Sequence, residues 1–124
     1  MRRVTGIGGI FFKSRNPEKL YQWYERHLGL KRKAGDAVVF GSKTRMTVWS
    51  LFPKNTTHFH PSRASFMINY RVVDLDRLLE LLGEEDVKID EHREDSEYRR
   101  FAWIMDPEGN RIELWEPPEK GDVK

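Results

Sequence analysis

The chain contains no cysteine and no long run of apolar residues. The absence of cysteine excludes disulfide bonds, thiolate metal centres and cysteine nucleophiles, so that only His, Asp and Glu remain as candidate metal ligands. No segment approaches the roughly 18 apolar residues of a membrane-spanning helix. The run Ile7–Phe12, which follows three N-terminal residues rich in arginine, is interrupted by Gly8 and Gly9 and is too short for a signal peptide. We therefore expect a cytoplasmic protein without a membrane partner.

An excess of one charge is also lacking. Lys and Arg number 22 against 20 Asp and Glu, and the two signs alternate along the chain. Without a continuous basic field, a nucleic-acid partner is not expected. The mean hydropathy of -0.74 indicates a heavily charged surface, while aromatic residues at 12% of the chain supply large buried areas. A chain of 124 residues predicts one domain spanning 1–124.

The first half of the chain predicts a strand, a helix and three strands. Ile7–Phe12 is apolar and β-branched, as in a strand that is covered on both faces. A helix follows, with Asn16 as N-cap, Pro17 in the first turn and Gly29 as C-cap. Its predicted apolar stripe consists of Leu20, Trp23, Tyr24, His27 and Leu28. Further strands are predicted at Ala37–Phe40 and Arg45–Phe52, with room near Gly35-Asp36 for a short strand before them.

The second half repeats this order. A strand at Ser65–Val73 leads into a helix that Asp74 caps, and Gly83 is predicted to end that helix. The remaining strands are predicted at Val87–Asp90, Arg99–Met105 and Asn110–Glu116. The chain thus divides into repeat one (about 5–53), a surface linker (about 54–64), repeat two (about 65–118) and a tail (119–124). Two βαβββ repeats predict an α+β domain, a half-open mixed-sheet barrel with helices outside and a cleft inside.

Three sequence features together resemble a known family. They are the segment Ile7-Gly8-Gly9-Ile10-Phe11-Phe12, the pair Trp23-Tyr24 with Leu28-Gly29-Leu30, and the turn and strand Asp106–Glu116. Over about Thr5–Pro118 the chain is similar to the vicinal oxygen chelate superfamily, which includes glyoxalase I, bleomycin-resistance proteins, fosfomycin-resistance enzymes and extradiol dioxygenases. The resemblance implies the two-repeat fold and a homodimer, which would also cover exposed sheet edges.

The resemblance further implies where a divalent cation would bind. In this family four strands each contribute one ligand, and the corresponding positions are Gly9, the neighbourhoods of Trp49 and Met67, and Glu113. Of these four residues only Glu113 can bind a hard cation, and one carboxylate does not hold Mg²⁺, Mn²⁺ or Zn²⁺ in a structured site. We therefore expect no metal cofactor.

Alternation along the strands predicts which side chains line the cleft. If Glu113 points inward, Arg111 and Trp115 do so too, while Ile112 and Leu114 face a helix. The predicted site has Glu113 as its catalytic residue. Its predicted binding residues are Phe11, Arg45, Trp49, Met67, Asn69, Trp103 and Arg111. Two alternatives remain open: the tryptophans can be ordinary core residues, and Glu113 can form a structural ion pair with Arg45, Arg71 or Arg111.

The histidines are expected to lie on the surface. His58 and His60 are two residues apart in the polar segment between the repeats, where we expect them to be solvated. If they have a role, it is at the entrance to the cleft, since the sequence suggests no third metal ligand nearby. His27 and His92 are likewise predicted to be surface residues.

Two functions are consistent with these features. The first is binding of a small organic molecule in an aromatic cleft without a metal and without chemistry. The second is a lyase, isomerase or dioxygenase-type enzyme acting on a small oxygen-rich metabolite. In that case Glu113 would be the general base or the sole remaining metal ligand. The sequence does not identify the ligand.

Overall fold

The computed structural model describes residues 2–33, 37–42, 45–96 and 100–118. These residues contain two helices and eight strands, which follow one another in the predicted order βαβββ–βαβββ. The first repeat comprises β1 (Val4–Ser14), α1 (Pro17–Leu28), β2 (Arg32–Lys33), β3 (Ala37–Phe40) and β4 (Thr47–Pro53). The second comprises β5 (Phe66–Val72), α2 (Leu75–Glu84), β6 (Lys88–Asp95), β7 (Arg100–Met105) and β8 (Arg111–Glu116). The predictions at Gly35-Asp36, at Arg99 and in the tail 119–124 lie outside the described residues.

The strands form one mixed sheet in the order β2-β3-β4-β1-β5-β8-β7-β6. Within each repeat the first and last strands pair in parallel: β1 with β4, and β5 with β8. The other two strands of each repeat lie beyond this pair, toward the edge of the sheet. The two first strands, β1 and β5, pair antiparallel and join the halves. The described strands do not close into a barrel, which confirms the predicted half-open α+β architecture.

Helix α1 begins and ends as predicted. The Asn16 side chain accepts the Lys19 backbone N–H, and Gly29 adopts a left-handed φ of 72°. The predicted apolar stripe, however, is rotated. Tyr21 is the buried residue, and its hydroxyl accepts the backbone N–H of Leu51 at 2.7 Å, whereas Trp23 is 51% exposed and Leu28 is 60% exposed. Leu20, Tyr21 and Tyr24 therefore form the face that packs on the sheet.

Helix α2 begins at the predicted cap but ends later than predicted. Asp74 accepts the Arg77 backbone N–H, as an N-cap residue does. Gly83 lies inside the helix, which continues to Glu84. Asp86 adopts the left-handed φ of 62° after the helix, because Asp tolerates this conformation better than most residues. No helix in the described part of the chain is long and apolar enough to cross a membrane.

The core divides into three clusters. One lies under α2 and contains Leu75, Leu78 and Leu114, with Ile112 packed against it, so that Ile112 and Leu114 face a helix as predicted. A second lies under α1, and a third occupies the opposite, concave face of the sheet. The concave cluster contains Phe11, Phe59, Met67 and Trp103. This third cluster forms the floor of the predicted cleft.

The predicted orientation of β4 is wrong by one residue. Trp49 packs in the cluster under α1, with ring centroids 5.9 Å from Tyr21 and 4.7 Å from Tyr24. Val48 and Phe52 instead face the concave cluster. A shift of one residue moves every side chain of a strand to the other face, and the aromatic partners on α1 keep Trp49 on the helix side. Arg45 precedes β4 and is exposed in the turn before it.

The segment between the repeats consists mostly of exposed residues, as expected of a surface linker, but part of it is buried. Phe59 is completely buried in the concave cluster, and Ser62 is 4% exposed. The segment therefore crosses the open side of the sheet and inserts one aromatic ring. Strand β6 also extends beyond the predicted strand Val87–Asp90, because it continues to Asp95 and pairs with β7.

Candidate functional site

One row of paired residues crosses the concave face of the sheet. Val48 on β4 pairs with Gly9 on β1, which pairs with Asn69 on β5. Asn69 in turn pairs with Glu113 on β8, and Glu113 pairs with Trp103 on β7. Since paired residues of neighbouring strands point the same way, the fold gathers one carboxylate, one amide and one indole at the centre of this face.

Glu113 is buried, with 4% exposure, and both of its oxygens accept hydrogen bonds. Asn69 Nδ2 donates to Oε1 at 2.7 Å, and Trp103 Nε1 donates to Oε2 at 2.9 Å. His58 Nε2 lies 3.2 Å from Oε2. A buried carboxylate is costly unless such partners replace its water, so the fold supplies this compensation mainly with neutral donors.

None of the three candidate arginines pairs with Glu113 among the described contacts, so the alternative of a structural arginine ion pair is wrong. Arg71 Nη1 donates to the backbone oxygens of Ile7 and Met46. Arg111 Nη1 donates to Asp90 at 2.7 Å, and Arg45 is exposed. Arg71 and Arg111 thus donate to acceptors on neighbouring segments of the sheet, and Arg45 faces solvent.

His58 reaches the site from the segment between the repeats. Its ring stacks on Phe52, with centroids 5.3 Å apart and planes 3° apart. Its side chain is 36% exposed, so it lies at the boundary between the buried carboxylate and solvent. The expectation of a solvated loop histidine is therefore wrong for His58, whereas His60 is exposed. Phe59 between two histidines is the sequence signal that this polar segment contacts a core.

A cavity of about 260 Å³ opens beside Glu113. Glu113 and Asn69 form its polar part, and the rest of the lining is mostly apolar. The lining residues are Gly8, Phe11, Met46, Val48, Asn69, Phe101, Glu113 and Trp115. A largely apolar cavity with a few convergent polar groups is the usual form of a small-molecule site.

Aromatic rings are stacked along the wall of the concave face. Trp115 and Phe101 are 9° from parallel with centroids 6.1 Å apart, and Phe101 and Trp103 are 16° from parallel at 6.3 Å. The His92 ring stacks on the Trp103 ring, with centroids 5.3 Å apart. His92 is exposed as predicted, but it also covers the outer end of this wall. Flat parallel rings provide contact area for a flat ligand.

Arg111 contacts the aromatic wall and does not line the cavity. Its guanidinium lies 5.1 Å from the centroid of the Trp103 ring, a cation–π distance. Asp90 holds it in place, and the hydrogen bond from Arg111, followed by the backbone N–H of His92, lowers the pKa of Asp90. Arg111 thereby fixes the tryptophan that donates to Glu113.

The structure thus brings together only part of the predicted site. Phe11, Asn69 and Glu113 line the cavity, while Trp103 lies beside it and bonds Glu113. Met67 is on the predicted face but is fully buried within the cluster that holds Phe59. Trp49 and Arg45 are elsewhere. Residues that the prediction left out of the site are Gly8, Met46, Val48 and His58, and the strand register of β4 accounts for Val48.

The donor set does not fit a divalent cation. The positions level with Gly9 and Glu113 are Val48 and Asn69, where the prediction had placed Trp49 and Met67. The described residues contain no group of three or more His, Asp or Glu side chains placed to share a metal. His58 and Glu113 alone provide two ligands, fewer than structured Zn²⁺, Mg²⁺ or Ca²⁺ sites use.

Solved structures share this fold at low sequence identity. Methylmalonyl-CoA epimerase from Mycobacterium tuberculosis is 19% identical with a TM-score of 0.64, over 97% of this chain and 93% of that one. A variant of the Streptomyces coelicolor epimerase in complex with 2-nitronate-propionyl-CoA is 14% identical with a TM-score of 0.67, over 98% and 99%. A glyoxalase/bleomycin resistance protein/dioxygenase superfamily member from Vibrio splendidus 12B01 is 13% identical with a TM-score of 0.62, over 89% and 97%.

No protein among those with curated descriptions matches the chain. The sequence profile described as Glyoxalase/Bleomycin resistance protein/Dioxygenase superfamily matches residues 7–114. This match covers both repeats, the strand that carries Gly8 and Gly9, and the strand that carries Glu113. The chain therefore belongs to the glyoxalase/bleomycin resistance protein/dioxygenase superfamily.

Proposed function

We propose that this protein binds a small, flat, partly apolar organic molecule in the cavity beside Glu113, without a metal ion. The observation that carries the proposal is the cavity itself, which combines about 260 Å³ of space with an apolar lining and one polar edge. Its volume is near the lower end of typical small-molecule sites, and its stacked aromatic wall suits a ring system.

The position of the cavity also supports binding. It lies on the concave face at the centre of the sheet, where β1, β5 and β8 are adjacent. The strands on both sides are fixed by the two helix-backed core clusters. A site built on strands of a packed sheet is already shaped before a ligand binds, which lowers the entropy lost on binding.

Filling the cavity with protein atoms is the direct test. Val48 lines the cavity, so Val48→Trp should occupy its space. The parent protein is screened with aromatic fragments of one or two rings by calorimetry, and each fragment that binds is measured again with the variant. We expect the affinity to fall at least tenfold, about 1.4 kcal/mol.

Val73→Trp is the matched control, because Val73 is 61% exposed on the protein surface. This control should bind the fragments as the parent does. Equal binding by the parent and Val48→Trp would show that the fragments bind elsewhere. Absence of binding by any fragment in the parent would contradict the proposal.

A second candidate function is enzymatic proton transfer, which the contact between His58 and Glu113 favours. Glu113 would remove a proton from a carbon acid, and His58, 3.2 Å away and partly exposed, would exchange it with solvent. Similarity to methylmalonyl-CoA epimerases suggests a first compound to examine. Glu113→Gln cannot accept the proton.

Deuterium exchange tests this second candidate without assuming a product. The protein is incubated with methylmalonyl-CoA in D₂O, and incorporation at the acidic carbon is followed by mass spectrometry. Incorporation by the parent that Glu113→Gln abolishes would support the enzyme. Incorporation no faster than in protein-free buffer would contradict proton transfer with this compound.

We also propose a homodimer. The edge strands of the described sheet are β2 and β6, and pairing between copies is one way in which proteins cover such edges. Light scattering should then give a mass of about 30 kDa, twice the 14.8 kDa of the chain. A mass near that of one chain at micromolar concentration would contradict the dimer.

A further inference from the structure

We propose that the ligand presents a group with hydrogen-bond donors, such as an amide, amidinium or amine N–H, to Asn69 and Glu113. This inference rests on the proposed binding function and names the chemical class of the ligand. The observation behind it is that Asn69 Oδ1 is buried and has no hydrogen-bond partner. Asn69 as a whole is only 3% exposed, and a buried polar atom without a partner is rare in proteins.

The orientation of the Asn69 amide is fixed by Glu113. The side-chain nitrogen donates to Glu113 Oε1 at 2.7 Å. Rotation of the amide by 180° would place the Asn69 oxygen against a carboxylate oxygen, and two acceptors would then face each other. Asn69 Oδ1 is therefore held away from Glu113, toward the part of the cavity wall that Gly8 forms.

Gly8 makes room for this oxygen. A Cβ atom at position 8 would collide with Asn69 Oδ1 and would come within 3.1 Å of Arg71 Cγ and of Trp115 Cε3. Gly8 lies at an irregularity in the pairing of β1 with β5, between the pairs Ile7–Tyr70 and Gly9–Asn69. The absence of a side chain at position 8 thus lets the unpaired acceptor pack against the backbone of β1, and both residues line the cavity.

The charges around the cavity favour a donor group over an anion. Glu113 is the acidic residue of the lining, and no Lys, Arg or His belongs to the described lining. Arg71 is the cation close to Gly8, but its Nη1 donates to the backbone oxygens of Ile7 and Met46, and its Nη2 packs against Gly6. The lining thus contains two acceptors that complement ligand donors, Asn69 Oδ1 and the Glu113 carboxylate, beside one unpaired buried donor, Trp115 Nε1.

Four probes of similar size and shape test this inference: toluene, benzamide, benzamidinium and benzoate. They share a six-membered ring and differ in donors and charge. Dissociation constants are measured by calorimetry or NMR at about pH 8, where benzamidinium and benzoate are both charged. We expect benzamide and benzamidinium to bind about tenfold or more tightly than toluene, and benzoate to bind more weakly than toluene.

Two variants locate the preference. Asn69→Leu removes Oδ1, and Gly8→Ala places a methyl group against Oδ1 so that the amide has to shift, while the Trp103 donor to Glu113 is kept. Each variant should bind benzamide less than about threefold more tightly than toluene. The control is Asn55→Leu, which removes an exposed amide from the segment between the repeats and should keep the advantage. Gly8→Ala provides the test if Asn69→Leu does not fold.

The outcomes separate this inference from the proposed function. If toluene and benzoate bind as tightly as the two donor probes, the donor inference is wrong while binding in the cavity stands. If the donor probes are preferred but the preference survives in the folded variants, the donor group binds elsewhere and the inference is wrong. If none of the four probes binds the parent, both proposals are contradicted.

Discussion

His58 Nε2 lies 3.2 Å from Glu113 Oε2, although the two residues are 55 positions apart in the sequence. The contact exists because the segment between the repeats folds back over the concave face and buries Phe59 there. Phe59 holds the segment, and stacking on Phe52 orients the His58 ring. The connection between the repeats is therefore part of the site and not only a link between two halves.

The hydrogen bonds to Glu113 predict the effect of Glu113→Gln on stability. Asn69 and Trp103 donate to different carboxylate oxygens, so a glutamine turns its NH₂ group toward one of these donors and leaves that donor unpaired. We expect a loss of about 1–3 kcal/mol in the free energy of unfolding. Urea denaturation measures it, and Glu108→Gln in an exposed turn is the control.

Glu113→Gln should reduce the free energy of unfolding by less in a Trp103→Phe variant, because this variant no longer presents the indole N–H to Oε2. The glutamine can then turn its NH₂ group toward position 103 without facing the indole N–H, and His58 Nε2, which lies on the same side, can accept from it. The difference between the two backgrounds measures the coupling of the pair. An equal cost in both would show that Trp103 does not donate to Glu113 in solution.

The position of Trp49 under α1 predicts that this residue affects stability and not ligand binding. Trp49 is 8% exposed and contacts Tyr21 and Tyr24, so Trp49→Ala should reduce the free energy of unfolding by about 3–5 kcal/mol. Trp23 is 51% exposed, and Trp23→Ala should cost less than about 1 kcal/mol. Chemical denaturation gives both values.

Ligand affinity completes this test. Fragments that bind the parent should bind folded Trp49→Ala within about twofold, since Trp49 lies on the opposite side of the sheet from the cavity. A tenfold loss of affinity together with a small loss of stability would place Trp49 in the cleft and contradict the observed register of β4.

Asp90 and Arg111 predict a loss of stability in acid. The hydrogen bond from Arg111 lowers the pKa of Asp90 in the folded protein. A group with a lowered folded pKa contributes stability above its unfolded pKa of about 4 and loses it as the pH falls below that value. We expect the free energy of unfolding to fall as the pH drops below about 4, and to fall less steeply in Asp90→Asn.

Asp86→Asn is the matched control for the loss of one surface carboxylate, because Asn also tolerates the left-handed backbone of Asp86. Stability is measured by urea denaturation at each pH. A parent and an Asp90→Asn variant with the same slope below about pH 4 would show that the Arg111 contact does not stabilise the folded state.

The sequence predicted the fold well because the repeat and its caps are local signals. Asn16, Gly29 and Asp74 mark helix ends by their own chemistry, and the alternation around Glu113 places Ile112 and Leu114 under α2. The orientation of β4, in contrast, is not determined by local sequence signals. Trp49 and Val48 are both apolar, so alternation alone does not decide which one faces α1, and Tyr21 and Tyr24 decide it by packing.

Long-range contacts also explain what the sequence missed in the site. His58 reaches Glu113 only because Phe59 anchors the segment between the repeats. An arginine was one alternative partner for Glu113, but backbone oxygens are the acceptors of Arg71 and Asp90 is the acceptor of Arg111. Neither the path of a loop nor the competition among acceptors can be obtained from strand alternation.

Ligand binding beside Glu113 is tested most directly by an NMR titration of the parent protein with a single aromatic fragment that binds. Changes in backbone amide chemical shift should concentrate at the cavity-lining residues Gly8, Val48, Asn69 and Trp115. The amides around Trp23 on the outer side of α1 should not move. Shifts confined to α1, or spread evenly over the surface without saturation, would contradict a binding site at Glu113.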